Sequence, residues 1–258
     1  MARIPVALQL YSVRNEFAKD PRRTLKAVAA MGYEGVEFFA APQHPARDLR
    51  AMLEEAGLPC CGWHTPFNLV QDDRLAETIA FNQTLGNRRI IVPSIPENLR
   101  ASRADWLTMA GFFNQLAAKL APHGMAAGYH NHNVEFTPVE GELPWDTFFS
   151  HANKEVIMQF DTGNALSAGA ETVPFLKRYP GRAGTVHLKP YSVAAGKKDR
   201  RKGFQPLIGE DDVPWAEVFR LCETIGGTQW YIVEYEDGGD SPLEAVKRCL
   251  QKLKAMGK

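Results

Sequence analysis

Short apolar runs alternate with longer amphipathic stretches along the whole chain. The runs Val6–Leu10, Gly35–Phe38, Pro59–Trp63, Arg89–Val92, Met125–His130, Val156–Phe160, Gly184–Leu188 and Tyr231–Glu234 have the length of buried strands. Between them, Pro21–Met31, Ala46–Ala56, Asp72–Leu85, Arg103–Pro122, Trp145–Ala152, Thr172–Arg178, Trp215–Ile225 and Ser241–Met256 carry the amphipathic patterning of helices. Asp20-Pro21 supplies an N-cap followed by proline at the first helical position. Ser241-Pro242 repeats that pattern, with Glu244 placed for a capping box. Gly32, Gly57, Gly124 and Gly226 stand where helices should stop. Strands alternating with helices pair in parallel. Eight such units without a Ser/Gly-rich linker predict a single (β/α)8 barrel domain over residues 1–258. A doubly wound sheet would place a glycine-rich turn after the first strand, where this chain has Tyr11-Ser12-Val13-Arg14.

The chain has 258 residues, 45% of them apolar, enough for one large core. Its 30 basic and 30 acidic residues cancel, so nothing global favours nucleic acid or an anionic membrane. No apolar stretch reaches the roughly 20 residues that span a bilayer. The segment Met1–Val6 lacks the apolar core of a signal peptide, and a cytoplasmic location is expected. A homo-oligomer is compatible with the sequence. Cys60 and Cys61 are adjacent, so they cannot share a strand face, and no C-x-x-C pair exists. Buried thiols are expected there and at Cys222 and Cys249. A basic run, Lys197, Lys198, Arg200, Arg201 and Lys202, falls in the irregular stretch 190–214. A solvated loop is the default for such a run; a lid carrying cations over an anionic substrate is the alternative.

Candidate chemistry concentrates where strands end, the side of a parallel barrel that carries active sites. Four runs terminate on or beside His130, Asp161, His187 and Glu234. Mixed imidazole and carboxylate suits Mn, Zn, Co or Fe better than Ca. His130 and His132 are two apart and share a face while the strand lasts, although His132 is equally a backbone-bonded histidine. Glu135 either bonds substrate hydroxyls or caps the segment Gly141–Trp145. Gln9, Tyr11, Glu37, His64, Asn164, Lys189 and Glu236 also fall at strand ends. For Glu37 and His64 a structural role competes with a place at the substrate. Trp63, Phe38 and Phe67 offer either a wall for the apolar face of a sugar ring or ordinary core.

Several motifs, spread over nearly the whole chain, carry a resemblance. They are Leu8-Gln-Leu-Tyr-Ser-Val-Arg14, Gly32-Tyr-Glu-Gly-Val-Glu37, His64-Thr-Pro66, Tyr129-His-Asn-His-Asn-Val-Glu-Phe136, Phe160-Asp-Thr-Gly-Asn164, Val186-His-Leu-Lys189, Ile208-Gly-Glu210 and Val233-Glu234. Together they resemble the xylose-isomerase-like TIM-barrel superfamily of sugar phosphate isomerases/epimerases. That group includes ketose 3-epimerases, inosose isomerases and inosose dehydratases. The resemblance implies a small-molecule carbohydrate substrate and one divalent metal ion, Mn2+, Zn2+, Co2+ or Mg2+. Family members bind it through Glu, Asp, His and Glu, the last three matched by Asp161, His187 and Glu234. Glu234 would be both ligand and base, and Asn164 and Glu135 resemble substrate-contacting positions.

His130 stands where the family has its first glutamate. Histidine ligates metal but does not replace a carboxylate base like for like. Two-base epimerisation would then need His132, Glu135 or His64 on the second face. One-base isomerisation, or proton abstraction with β-elimination, survives the replacement more easily. The Tyr-His-x-His pattern resembles the inosose dehydratase side of the superfamily. The expected function is a metal-dependent sugar isomerase or epimerase. The alternatives are a keto-sugar lyase or dehydratase and a non-catalytic sugar-binding barrel. Expected catalytic residues are Glu234, His132 and Glu135, expected ligands His130, Asp161, His187 and Glu234, and expected substrate contacts Glu37, Trp63, His64, Asn164 and Lys189. A DNA-repair relative would need more ligands and a basic groove.

Overall fold

The computed structural model describes residues 3–236 and 241–258. Eight parallel strands close into one barrel in chain order. They are β1 (Val6–Gln9), β2 (Gly35–Phe39), β3 (Cys60–His64), β4 (Arg89–Val92), β5 (Ala126–His130), β6 (Ile157–Asp161), β7 (Thr185–Leu188) and β8 (Trp230–Val233). β8 pairs back onto β1 through Val6↔Tyr231, Ala7↔Ile232 and Leu8↔Val233. The expected strands are all present, with ends shifted by register. β3 and β6 run on to include His64 and Asp161, whereas β8 stops at Val233 and leaves Glu234 just beyond the ladder.

Local signals set most helix ends. The Asp20 carboxylate accepts from the Arg23 N–H, and Gly32 closes the same helix at φ 99°. Two expectations need correction. Ser241 makes no side-chain cap, so Pro242 alone starts the last helix. The stop expected at Gly226 falls at Gly227 (φ 70°), because the preceding turn Cys222–Gly226 is π-helical and its wider i→i+5 winding takes up one more residue. The helices Arg14–Lys19, Thr162–Ser167 and Val193–Gly196 were not expected; they are too short to show periodicity.

Alternation along each strand sorts side chains into two environments. The main apolar core lies outside the barrel, between strands and helices, and includes Leu8, Val36, Trp63, Tyr129, Phe160, Val186 and Tyr231. Inside, Ala7, Cys61 and Ile232 form a small separate plug. Each precedes a buried polar residue of its own strand end: Gln9, His64 and Glu234. The inner space above the plug is therefore polar, with Glu37, His130, Gln159, Asp161, Thr185 and His187 all buried. The β2–β3 register slips between Val36 and Glu37, which sets Glu37 opposite Gly62. A Cβ at residue 62 would lie 2.5 Å from Glu37 Oε1, so glycine makes the room. Cys60 joins the outer core and Cys61 the inner plug, as adjacent strand residues must. All four thiols are buried and unpaired. No helix among the described residues is long and apolar enough to cross a membrane.

Candidate metal centre and active-site mouth

β5 to β8 deliver His130, Asp161, His187 and Glu234 to one point. One ligand atom from each lies within 4.8 Å of the others. His130 Nε2 is 3.8 Å and His187 Nδ1 3.9 Å from Asp161 Oδ2, and His187 Nδ1 is 2.7 Å from Glu234 Oε2. The Asp161 Oδ1 atom caps the helix Thr162–Ser167 by accepting from the Asn164 N–H at 2.7 Å. Its Oδ2 atom is buried with no hydrogen-bond partner among the described residues. A buried carboxylate oxygen left without a partner is costly. A divalent cation would satisfy it, since ligand atoms of a four-coordinate shell with ~2.1 Å bonds sit roughly 3.4 Å apart. The two imidazoles and two carboxylates fit Mn, Zn or Co chemistry.

The buried layer beneath holds these ligands in place. Glu37 can only accept, so the Gln159 amide nitrogen must face it, and donates to Oε1 at 2.8 Å and to Thr185 Oγ1 at 2.9 Å. The Gln159 oxygen then accepts from His64 Nε2 at 2.6 Å and His130 Nδ1 at 3.1 Å. His130 therefore carries its proton on Nδ1 and turns the Nε2 lone pair toward Asp161. Glu37 Oε2 accepts from His187 Nε2 at 2.6 Å and Gln9 Nε2 at 2.8 Å, which frees His187 Nδ1 for the metal position.

The electrostatics follow from burial and neighbours. Burial alone would lower the His187 pKa, but Glu37 and Glu234 at its two ring nitrogens outweigh it and raise the value to about 10. Burial raises the Asp161 carboxyl to about 7, against the pull of Lys189. Burial keeps His130 well below the ordinary histidine value and brings His132 to about 4, so both are neutral at pH 7. Burial would also raise Glu234, but Lys189 and His187 hold it well below the usual carboxylate range. Lys189, itself buried, stays charged through Glu234, Asp161 and Glu236.

Above the centre opens a cavity of about 800 Å³, lined by His64, His130, His132, Asn164, Lys189, Glu234 and Glu236 among others. Its aromatic walls are Tyr11, Phe39 and Phe204. Four expected site residues lie elsewhere. Trp63 faces outward, because the neighbouring His64 takes the inner side; it stacks on Phe38 at 4.9 Å and donates to the Ala40 carbonyl at 2.8 Å. Phe67 packs on Phe112, also away from the mouth. Glu37 lies under the mouth, bonded to His187, and does not line the cavity. Glu135 neither reaches the cavity nor caps the following segment. Its carboxylate accepts from the Tyr129 hydroxyl at 2.5 Å and the His132 N–H at 2.7 Å, tying down the β5 exit. Sequence reasoning missed Gln159, although it lies two residues before Asp161 and so on the same strand face. It also gave Asn131 no role; that side chain joins the β5 and β6 ends by bonding the Asp161 backbone at both N–H and carbonyl.

Residues 25–256 match the family described as xylose isomerase-like TIM barrel. The chain belongs to that family. It is 25% identical over 248 residues to an inosose dehydratase of Yersinia enterocolitica, covering 83% of this chain and 82% of the relative. The barrel superposes on a sugar phosphate isomerase/epimerase from Parabacteroides distasonis with a TM-score of 0.81 at 21% identity, covering 98% of each chain. An L-ribulose 3-epimerase structure aligns with a TM-score of 0.71 at 14% identity, covering 98% of this chain and 94% of that one.

Proposed function

We propose that this family member is a divalent-metal-dependent lyase acting on a keto-sugar, with residues 1–258 as one catalytic domain. It would remove the proton next to the carbonyl and eliminate the oxygen substituent one carbon further on. One observation carries this reading. Among the described residues, both carboxylates lining the cavity, Glu234 and Glu236, come from the exit of β8. An epimerase with two bases needs a proton acceptor on each face of the sugar. The opposite side offers the buried His130 and part-buried His132, both neutral, and no carboxylate. Glu135 is turned away into its bonds with Tyr129 and His132. One-base chemistry remains, and the inosose dehydratase relatives favour elimination. This reverses the order expected from sequence, leaving one-base isomerisation as the second reading.

His130, Asp161, His187 and Glu234 would hold the ion. When bound it supplies a Lewis acid that polarises the substrate carbonyl. Glu234 divides its oxygens between two tasks. Oε2 faces His187, and Oε1 faces Lys189 at 3.4 Å and takes the substrate proton. The Lys189 ammonium donates to the departing oxygen and recovers its proton from Glu234. His64, His132 and Asn164 line the cavity where sugar hydroxyls would lie.

The test is a metal-loaded incubation with a keto-sugar in heavy water. Elimination gives a product lighter by water or an aglycone; a product of unchanged mass apart from deuterium would sink it. Glu234→Gln is expected to fold and to lose about 10²–10⁴-fold in turnover. Near-normal activity would remove Glu234 as the base. Sugar binding without stoichiometric metal by elemental analysis would return the non-catalytic reading.

A further inference from the structure

The irregular stretch 190–214 is a folded arm built on the buried ring of Tyr191. Gly196 and Gly203 both lie against that ring, where a Cβ at either would overlap it. Phe204 packs on it edge-on at 4.8 Å, the Ser192 N–H bonds the Gly203 carbonyl at 2.7 Å, and the Asp212 N–H bonds the Tyr191 carbonyl at 3.0 Å. The fold of the arm brings Arg200 and Arg201 to the cavity wall, with Arg14 also lining it. Arg200 is steadied by Asn133 Oδ1 at 3.1 Å, across from the β5 exit. Arg14 bonds the Tyr11 carbonyl at 3.0 Å and lies over the Tyr11 ring at 4.4 Å. Lys189, the remaining cation of the wall, is matched by Glu234 and Glu236. None of the three guanidinium groups is in an ion pair with a described residue. Three guanidinium groups at one mouth, two of them solvent-exposed and none paired with a described acidic residue, give the cavity rim a local positive field that attracts an anion.

We propose that the substrate bears an anionic group, a carboxylate or phosphate, bound at the rim by Arg14, Arg200 and Arg201 while its keto-sugar portion sits over the metal centre. The inference rests on the keto-sugar reading above. Guanidinium forks pair with both anions through parallel N–H bonds, and Phe204 between arm and Lys189 gives the ring an apolar face.

The test compares three keto-hexoses with the metal-loaded protein, differing only in a terminal hydroxymethyl, carboxylate or phosphate. The expected kcat/KM for at least one anionic substrate exceeds that of the neutral one by roughly 10- to 100-fold, the range of a charge-assisted hydrogen bond. Which anion gains more separates a sugar acid from a sugar phosphate. In Arg200→Gln/Arg201→Gln the anionic-to-neutral ratio falls toward one through a higher KM, and added salt compresses it in the parent protein. Lys198→Gln, on the same run but off the cavity, keeps the ratio. Equal turnover of all three, with Glu234 still essential, overturns the anion site and leaves the lyase reading standing. If none is consumed, the lyase reading fails. Calorimetric binding of the same sugars then decides the anion site, which is lost if anionic and neutral sugars bind alike in parent and double variant.

Discussion

Gln159 is a neutral side chain on which two imidazoles depend. Its amide nitrogen is committed to Glu37 and Thr185, so its oxygen holds the protons of His64 and His130 on the ring nitrogens that face it. Gln159→Leu frees His130 to rotate and leaves several buried polar groups unpaired. Calorimetric titration with Zn2+ or Mn2+ is expected to show roughly 10–100-fold weaker binding, as for other residues that orient metal ligands. Unchanged affinity would reduce Gln159 to a packing role. The residue scale is also where sequence reading went furthest astray. Trp63 and His64 are adjacent, both chemically suggestive, and only one can face inward. The β2–β3 register slip decides which inner neighbour meets Glu37, and no residue type announces it.

Among the elements, the loops above the barrel depend on a few close contacts. Ala40, just after β2, sits at φ 60° without being glycine, and the Trp63 indole N–H holds its carbonyl. Trp63→Phe keeps the ring stack but drops that bond. A loss of about 0.5–1.5 kcal/mol in denaturant unfolding is expected, the net worth of one part-buried hydrogen bond whose carbonyl, on exposed Ala40, can turn to water. The arm of residues 190–214 has a different weak point. Gly203→Val drives a branched side chain into the Tyr191 ring and should loosen the arm while leaving the barrel folded. Limited proteolysis is expected to cut within 190–214 much faster than in the parent, with far-ultraviolet circular dichroism unchanged; an equally resistant arm would mean the Tyr191 packing is not what orders it. The basic run was legible as two alternatives, solvated loop or cationic wall. Only the packing on Tyr191 shows Arg200 and Arg201 at the cavity and leaves Lys197 and Lys198 off it.

At the scale of the molecule, barrel closure would couple metal binding at this centre to protons. Without metal, His187 keeps its proton up to about pH 10 and Asp161 up to about 7. A cation at this centre must displace both, so affinity rises with pH from about 6 toward 10, and falls as acid returns the protons. Calorimetry at pH 7.5 in buffers of differing ionisation enthalpy is expected to register release of at least one proton per metal. Binding with no proton release and no pH dependence would contradict the assigned charge states. The alternation of apolar runs and amphipathic stretches determined the eight strand–helix units, their parallel pairing and the strand-end position of the ligands, because those depend on local periodicity and chain direction. Which ends meet is a matter of closure: His130 and Glu234 are far apart in sequence, yet β5 and β8 bring them to one site. Tertiary structure alone decided that Glu37 supports His187, that Glu135 is withdrawn from the cavity and that the arginines reach its wall. Each depends on partners contributed by other strands and loops, and so on distances that no single segment encodes.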